Sequence, residues 1–171
     1  MKKKISLGVW ILIAAVLSAG CHSRVDWAVI FTAKGDEYAR KGKLDDALAE
    51  YNKALLMMPG DHKIRGHFAR VYCESQKWNE CLENINEYVK FYPDSHAEIY
   101  FQRGEAILHS TGNIGESINS GYSEAIARDA KNGRYFYSRG LAYQRLGHSG
   151  AAESDFARAH ALGFSEVVRP E

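Results

Sequence analysis

Charge of one sign is the first thing this sequence lacks. The 171 residues carry a formal charge of +1, and without Lys2, Lys3 and Lys4 there remain 19 basic against 21 acidic residues. No basic patch stands out, so there is no electrostatic case for nucleic acid. Catalytic signatures are missing as well. None of the seven histidines forms an H-E-x-x-H or H-x-x-x-H pair, and His62 and His67, five apart, fall on different faces of a helix. There is no G-x-S-x-G, P-loop or G-x-G-x-x-G. The expectation is a protein without catalytic residues, metal or cofactor. Proline is also scarce, with three residues in the chain. At 46% hydrophobic and 25% charged, the composition suits one folded domain that buries roughly two thirds of its unfolded surface.

A long membrane-spanning run is absent too. The uncharged stretch Ile5 to Gly20 is shorter than the roughly 20 apolar residues a spanning helix needs. It follows three lysines and ends in small residues before Cys21, the order of a secretory signal. Residues 1–20 therefore read as a cleaved leader, with a retained N-terminal anchor as the alternative. The ending "LSAGC" resembles the lipobox of bacterial lipoproteins, although Ser18 stands where leucine is most often found and Leu17 lies one place further out. The resemblance implies that Cys21 becomes a lipidated N-terminus, anchored in a membrane by its acyl chains. His22, rather than an aspartate, after the cysteine implies the outer membrane, facing the periplasm. Residues 21–27 then form a short tether.

What the chain does have is a period. Pro59 and Pro93 stand 34 residues apart, each closing a pattern of helix, turn and helix. Proline lacks the donor and clashes with the preceding turn. The units run about 28–61, 62–95, 96–132 and 133–166, the third with two or three extra residues around "HSTGNIGESINSGYSEAI". Gly35, Ala69, Gly104 and Gly140 are the small residues of the first helices, followed on the same face by Tyr38, Tyr72, Ile107 and Tyr143. Gly42, Gly112 and Gly147 mark the turns, where the second unit has Gln76 or Lys77. Ala47, Cys81, Ser117 and Ala152 are the small residues of the second helices, and Tyr51, Ile85, Tyr122 and Phe156 their bulky knobs. Asp61 and Asp94-Ser95 sit where the next helix needs a cap.

This pattern resembles the tetratricopeptide repeat. The resemblance implies an all-α fold, an α-solenoid of about four helix hairpins that stack because no single pair buries its apolar faces. It further implies a concave face of first helices that holds a peptide or helix. Arg70, Phe101, Glu105, Arg134, Tyr137 and Leu141 are the candidate groove residues, unless the aromatics pack between repeats. The clamp for acidic C-termini seen in chaperone-binding members has no counterpart, because Thr32 and Asp36 stand at its lysine and asparagine positions. The expected function is a membrane-anchored adaptor for an envelope protein, in pilus or secretion, outer-membrane or peptidoglycan machinery. The alternative is self-association into a homo-oligomer through a C-terminal end left uncovered at Phe164, Val167 and Val168, residues 167–171 being a short tail.

Cys73 and Cys81 are the two cysteines left once Cys21 is lipidated. In an oxidising compartment they would bridge the second hairpin, and otherwise each is a small buried filler. Alkylation of the protein from intact cells, followed by intact mass with and without reductant, checks this. The bridge predicts alkylation only after reduction, and free thiols before reduction would contradict it.

Overall fold

The computed structural model describes residues 23–164; the leader, Cys21 and the tail from 165 onward lie outside them. All regular structure among the described residues is helical. The chain divides into two compact units, Met1–Gln76 and Lys77–Glu171.

The first unit contains α1 (Arg24–Arg40), α2 (Leu44–Met57) and α3 (His62–Glu74). Helix α1 starts earlier than the tether reading placed it, because Ser23 and Asp26 build a capping box. The Ser23 hydroxyl accepts from the Asp26 backbone N–H, and the Asp26 carboxylate accepts from the Ser23 backbone N–H at 2.8 Å. Residues 24–27, read as tether, are therefore helical. Asp61 caps α3 as expected, accepting from the Lys63 N–H at 2.9 Å. The core gathers Ala47, Tyr51 and Ala54 from α2 against Ile64, Phe68 and Val71 from α3.

The second unit contains α4 (Trp78–Phe91), α5 (Ala97–Thr111), α6 (114–128), α7 (Gly133–Arg145) and α8 (Ser149–Ala161). The cap expected for α5 differs. His96, with no side-chain bond, is its N-cap, since the Ser95 hydroxyl turns back to donate to the Tyr92 carbonyl at the end of α4. Helices α2 and α4 end two residues before Pro59 and Pro93, as the restriction on the residue preceding proline requires. Each hairpin turn contains one residue with positive φ: Gly42, Gly112 and Gly147 at 68–75°, and Gln76 at 56°. That settles the turn position on Gln76, a side chain in a conformation glycine adopts more cheaply.

Helix α6 is where the extra length of the third unit shows. It begins as Ile114–Glu116, passes through a π-helical segment Ser117–Tyr122, and resumes as Ser123–Arg128. A π turn accommodates an inserted residue without breaking the helix. Here it keeps Ser117 and Tyr122, both buried, in the core. It also brings Gly121 onto α5. A Cβ on Gly121 would lie 2.2 Å from the Gly104 Cα and 2.5 Å from its backbone nitrogen, so two main chains touch with no side chain between them.

That contact sets the prediction for the fold. Gly121→Ala pushes a methyl into backbone, and the unfolding free energy should fall by about 1–3 kcal/mol or more. Gly60→Ala, where a Cβ meets nothing within 4 Å, is the control. Equal denaturation midpoints for the two variants would contradict the close approach.

Candidate functional site

Residues 25, 29, 32 and 36 share one face of α1, at the spacing of a helical stripe. Facing them across a cleft of about 340 Å³ are Ile64 and His67 of α3. One end of the cleft is apolar. Val25 and Val29 are 52% and 51% exposed, beside Ala28 and Ile64. The other end is polar and is built around Asp36.

The Tyr51 ring creates that polar end. It crosses α1 over Gly35, where a Cβ would sit 2.3 Å from the ring, and its hydroxyl donates to Asp36 Oδ1 at 2.7 Å. His67 Nδ1 and Arg70 Nη2 reach the same oxygen, each at 2.8 Å. Arg70 also donates to the Tyr51 hydroxyl at 3.2 Å, and the His67 ring lies 5.3 Å from that of Tyr51. Burial by itself would raise the Asp36 pKa. The hydrogen bonds from His67 and Tyr51, and the positive charges of His67 and Arg70, outweigh it and hold the carboxyl below its ordinary range. The Tyr51 hydroxyl is pushed well above its ordinary value by burial and by its bond to Asp36. So Arg70, the one candidate groove residue in the first unit, is a half-exposed partner in a network, with Asp36 at its centre.

The other five candidates belong to the second unit, and Phe101 is corrected. It is 1% exposed, its ring 5.1 Å from Tyr135 and 5.8 Å from Tyr122. The Arg134 guanidinium covers it, 4.2 Å from the ring centroid. It is core because the aromatic 34 residues later reaches across it. Glu105 accepts from the Tyr122 hydroxyl at 2.6 Å. Tyr135 donates to Glu98 at 3.1 Å, and burial followed by that carboxylate pushes its pKa up to about 12. Tyr137 is half-buried between Phe156 and Phe164, at 5.5 and 5.4 Å. Leu141 is half-buried as well. The structure therefore divides the expected apolar patch into a buried Phe101 and a partly covered Tyr137.

Sequence reading missed Arg139, whose guanidinium makes two hydrogen bonds to the buried Asp155 carboxylate at 2.8 and 2.9 Å and a third to the Ser123 hydroxyl at 3.1 Å. It joins α7 to α8 and α6 within the second unit. The bonds to Asp155 outweigh burial and raise the Arg139 pKa. Among the described residues, no group of three or more His, Cys, Asp or Glu is placed to hold a metal ion.

The chain is similar to the tetratricopeptide-repeat family, whose model matches residues 38–103. Solved structures share its helical fold at low identity. A crystal structure of MamA protein is 22% identical, with TM-score 0.73, over 81% of this chain and 74% of that one. MamA 41-end from Desulfovibrio magneticus RS-1 is 18% identical, with TM-score 0.73, over 80% and 75%. MamA AMB-1 is 21% identical, with TM-score 0.72, over 94% and 83%. No curated protein matches the sequence.

The Asp36 network gives a pH prediction. A carboxyl whose folded pKa lies below its ordinary 3.8 contributes stability above that pH and loses it as pH falls through the lowered value. Chemical denaturation at descending pH should show the wild type losing more stability than Asp36→Asn below about pH 4. Identical pH slopes would show that Asp36 gains nothing from its partners.

Proposed function

We propose that this chain is a non-catalytic, membrane-anchored tetratricopeptide-repeat adaptor that holds a peptide or helix of an envelope protein. Anchoring runs through lipid on Cys21, in the outer membrane and facing the periplasm. A Cys73–Cys81 disulfide belongs to the same reading, because that compartment is oxidising. The observation that carries the binding role is the cleft between α1 and α3, with exposed valines at one end and a charged network at the other. An apolar channel closed by a few placed polar groups is how proteins fix both affinity and register for a bound segment. Supporting assembly of pilus, secretion, outer-membrane or peptidoglycan machinery is the role that fits such an adaptor.

A photo-crosslinking residue at Val29, in intact cells, tests the cleft, with the same residue at Leu56 as control. Leu56 is 68% exposed on α2, so it samples neighbours without lining the cleft. The proposal expects one envelope protein crosslinked from position 29 and not from 56, and lost when Cys21→Ala removes the anchor. The same products from both positions would reject the cleft. Adducts with further copies of this chain alone would favour self-association.

A further inference from the structure

Six large hydrophobic residues are exposed among the described residues, and three of them, Val25, Trp27 and Val29, fall within five positions at the start of α1. The others, Leu56, Phe91 and Leu146, are scattered singly, which is ordinary for a protein surface. The cluster is unusual in its geometry as well as its density. Val25 and Val29 share one side of the helix, while Trp27 points to another, its ring stacked at 5.7 Å on Phe31. Ala28 and Ile30 face the core. The first turns of α1 are thus apolar on every side, the pattern of a helix that is surrounded rather than half-solvated.

Only two charges interrupt this tip, Asp26 and Arg24. The Asp26 carboxylate accepts from the Ser23 backbone N–H and hydroxyl, at 2.8 and 2.9 Å, within the helix cap. Arg24, exposed at the first position of the helix, carries the charge that suits phosphate head groups, and its long side chain can extend toward them. Tryptophan is itself the residue most at home where acyl chains meet head groups.

The sequence before α1 says what surrounds the tip. Cys21 stands three residues ahead of Arg24, and the apolar run 5–20 lies directly before it. Three residues span at most about 10 Å. If Cys21 is lipidated, or if the leader is retained, a membrane-inserted group lies within that distance of the first turn of α1.

We infer that the N-terminal turns of α1 enter the head-group region of the membrane, with Trp27 and Val25 against the acyl chains and Arg24 among the phosphates. This rests on the anchored reading above and adds a second membrane contact to the lipid. The contact fixes how the first unit stands on the bilayer. It places the apolar end of the α1–α3 cleft nearest the membrane and the Asp36 end away from it, so the cleft is open to a segment leaving the bilayer.

The test uses the full chain, made with its own N-terminal segment in cells that process lipoproteins. Trp10→Phe and Trp78→Phe leave Trp27 as the sole tryptophan. The protein is reconstituted into vesicles of phosphatidylethanolamine and phosphatidylglycerol, with or without bromine on the acyl chains. Bromine quenches only tryptophan that touches it, so Trp27 emission should fall roughly twofold or more in the brominated vesicles. Val25→Asp, a substitution at an exposed position, should reduce that quenching while leaving the helical circular dichroism unchanged. Protein that sediments with vesicles yet shows equal Trp27 emission in both lipids overturns the inference and leaves the anchor standing. Protein that does not sediment with vesicles overturns the anchored reading, and this inference with it.

Discussion

An aromatic ring lying on a glycine is the contact on which this structure depends. In each case the ring comes from the second helix of a hairpin and the glycine from the first. A Cβ would stand 2.3 Å from the Tyr51 ring at Gly35, 2.8 Å from Tyr122 at Gly104 and 2.7 Å from Phe156 at Gly140. Helices approach this closely only where one offers no side chain. The ring then fills the gap and buries apolar surface from both helices. The far end of the ring determines the chemistry beside it. A tyrosine reaching across the first helix brings its hydroxyl to the residue after the glycine, and a buried hydroxyl needs a partner. The pairs Tyr51 with Asp36 and Tyr122 with Glu105 meet that need. Phe156 has no hydroxyl, and Leu141 follows Gly140. In these three hairpins one packing rule thereby sets both the core and the polarity beside each ring.

The π segment of α6 preserves the same rule against an insertion. Small residue and knob are four apart in Ala47 and Tyr51, and again in Ala152 and Phe156, but five apart in Ser117 and Tyr122. An α-helix would carry the tyrosine away from α5. A π turn restores it, and the glycine at 121 lets the widened turn sit on Gly104. The Tyr122 hydroxyl still reaches Glu105.

Much of this was legible in the sequence because it is periodic. Four small residues, four knobs and recurring turn glycines identify hairpins and the fold they build, and Pro59 and Pro93 mark ends that the helices respect. The five-residue spacing in the third unit was also visible, and it signals a π turn rather than merely extra length. The Asp36 network was partly legible. Asp36 and Arg70 occupy equivalent positions 34 residues apart, so opposite charges at one period were a readable pair, whereas His67 and Tyr51 join only through the fold. Phe101 was not legible. Periodicity assigns it a face of α5 and says nothing of whether Tyr135 and Arg134 will cover that face. The start of α1 was misplaced for a different reason: the Ser23–Asp26 capping box lies upstream of the first repeat position.

Within the first unit, these features converge on a cleft whose walls are first-helix residues and whose polar end is fixed by Tyr51. Occupation of that cleft in the envelope is the central claim. The direct measurement is hydrogen exchange on the chain in native envelope membranes, compared with the purified protein in detergent. An occupied cleft slows exchange in α1 and α3, Arg24–Arg40 and His62–Glu74, and leaves α2 unchanged. Protection confined to α8 and the residues after it, with α1 and α3 exchanging as in the purified protein, would contradict the account and place the contact at the C-terminal end instead.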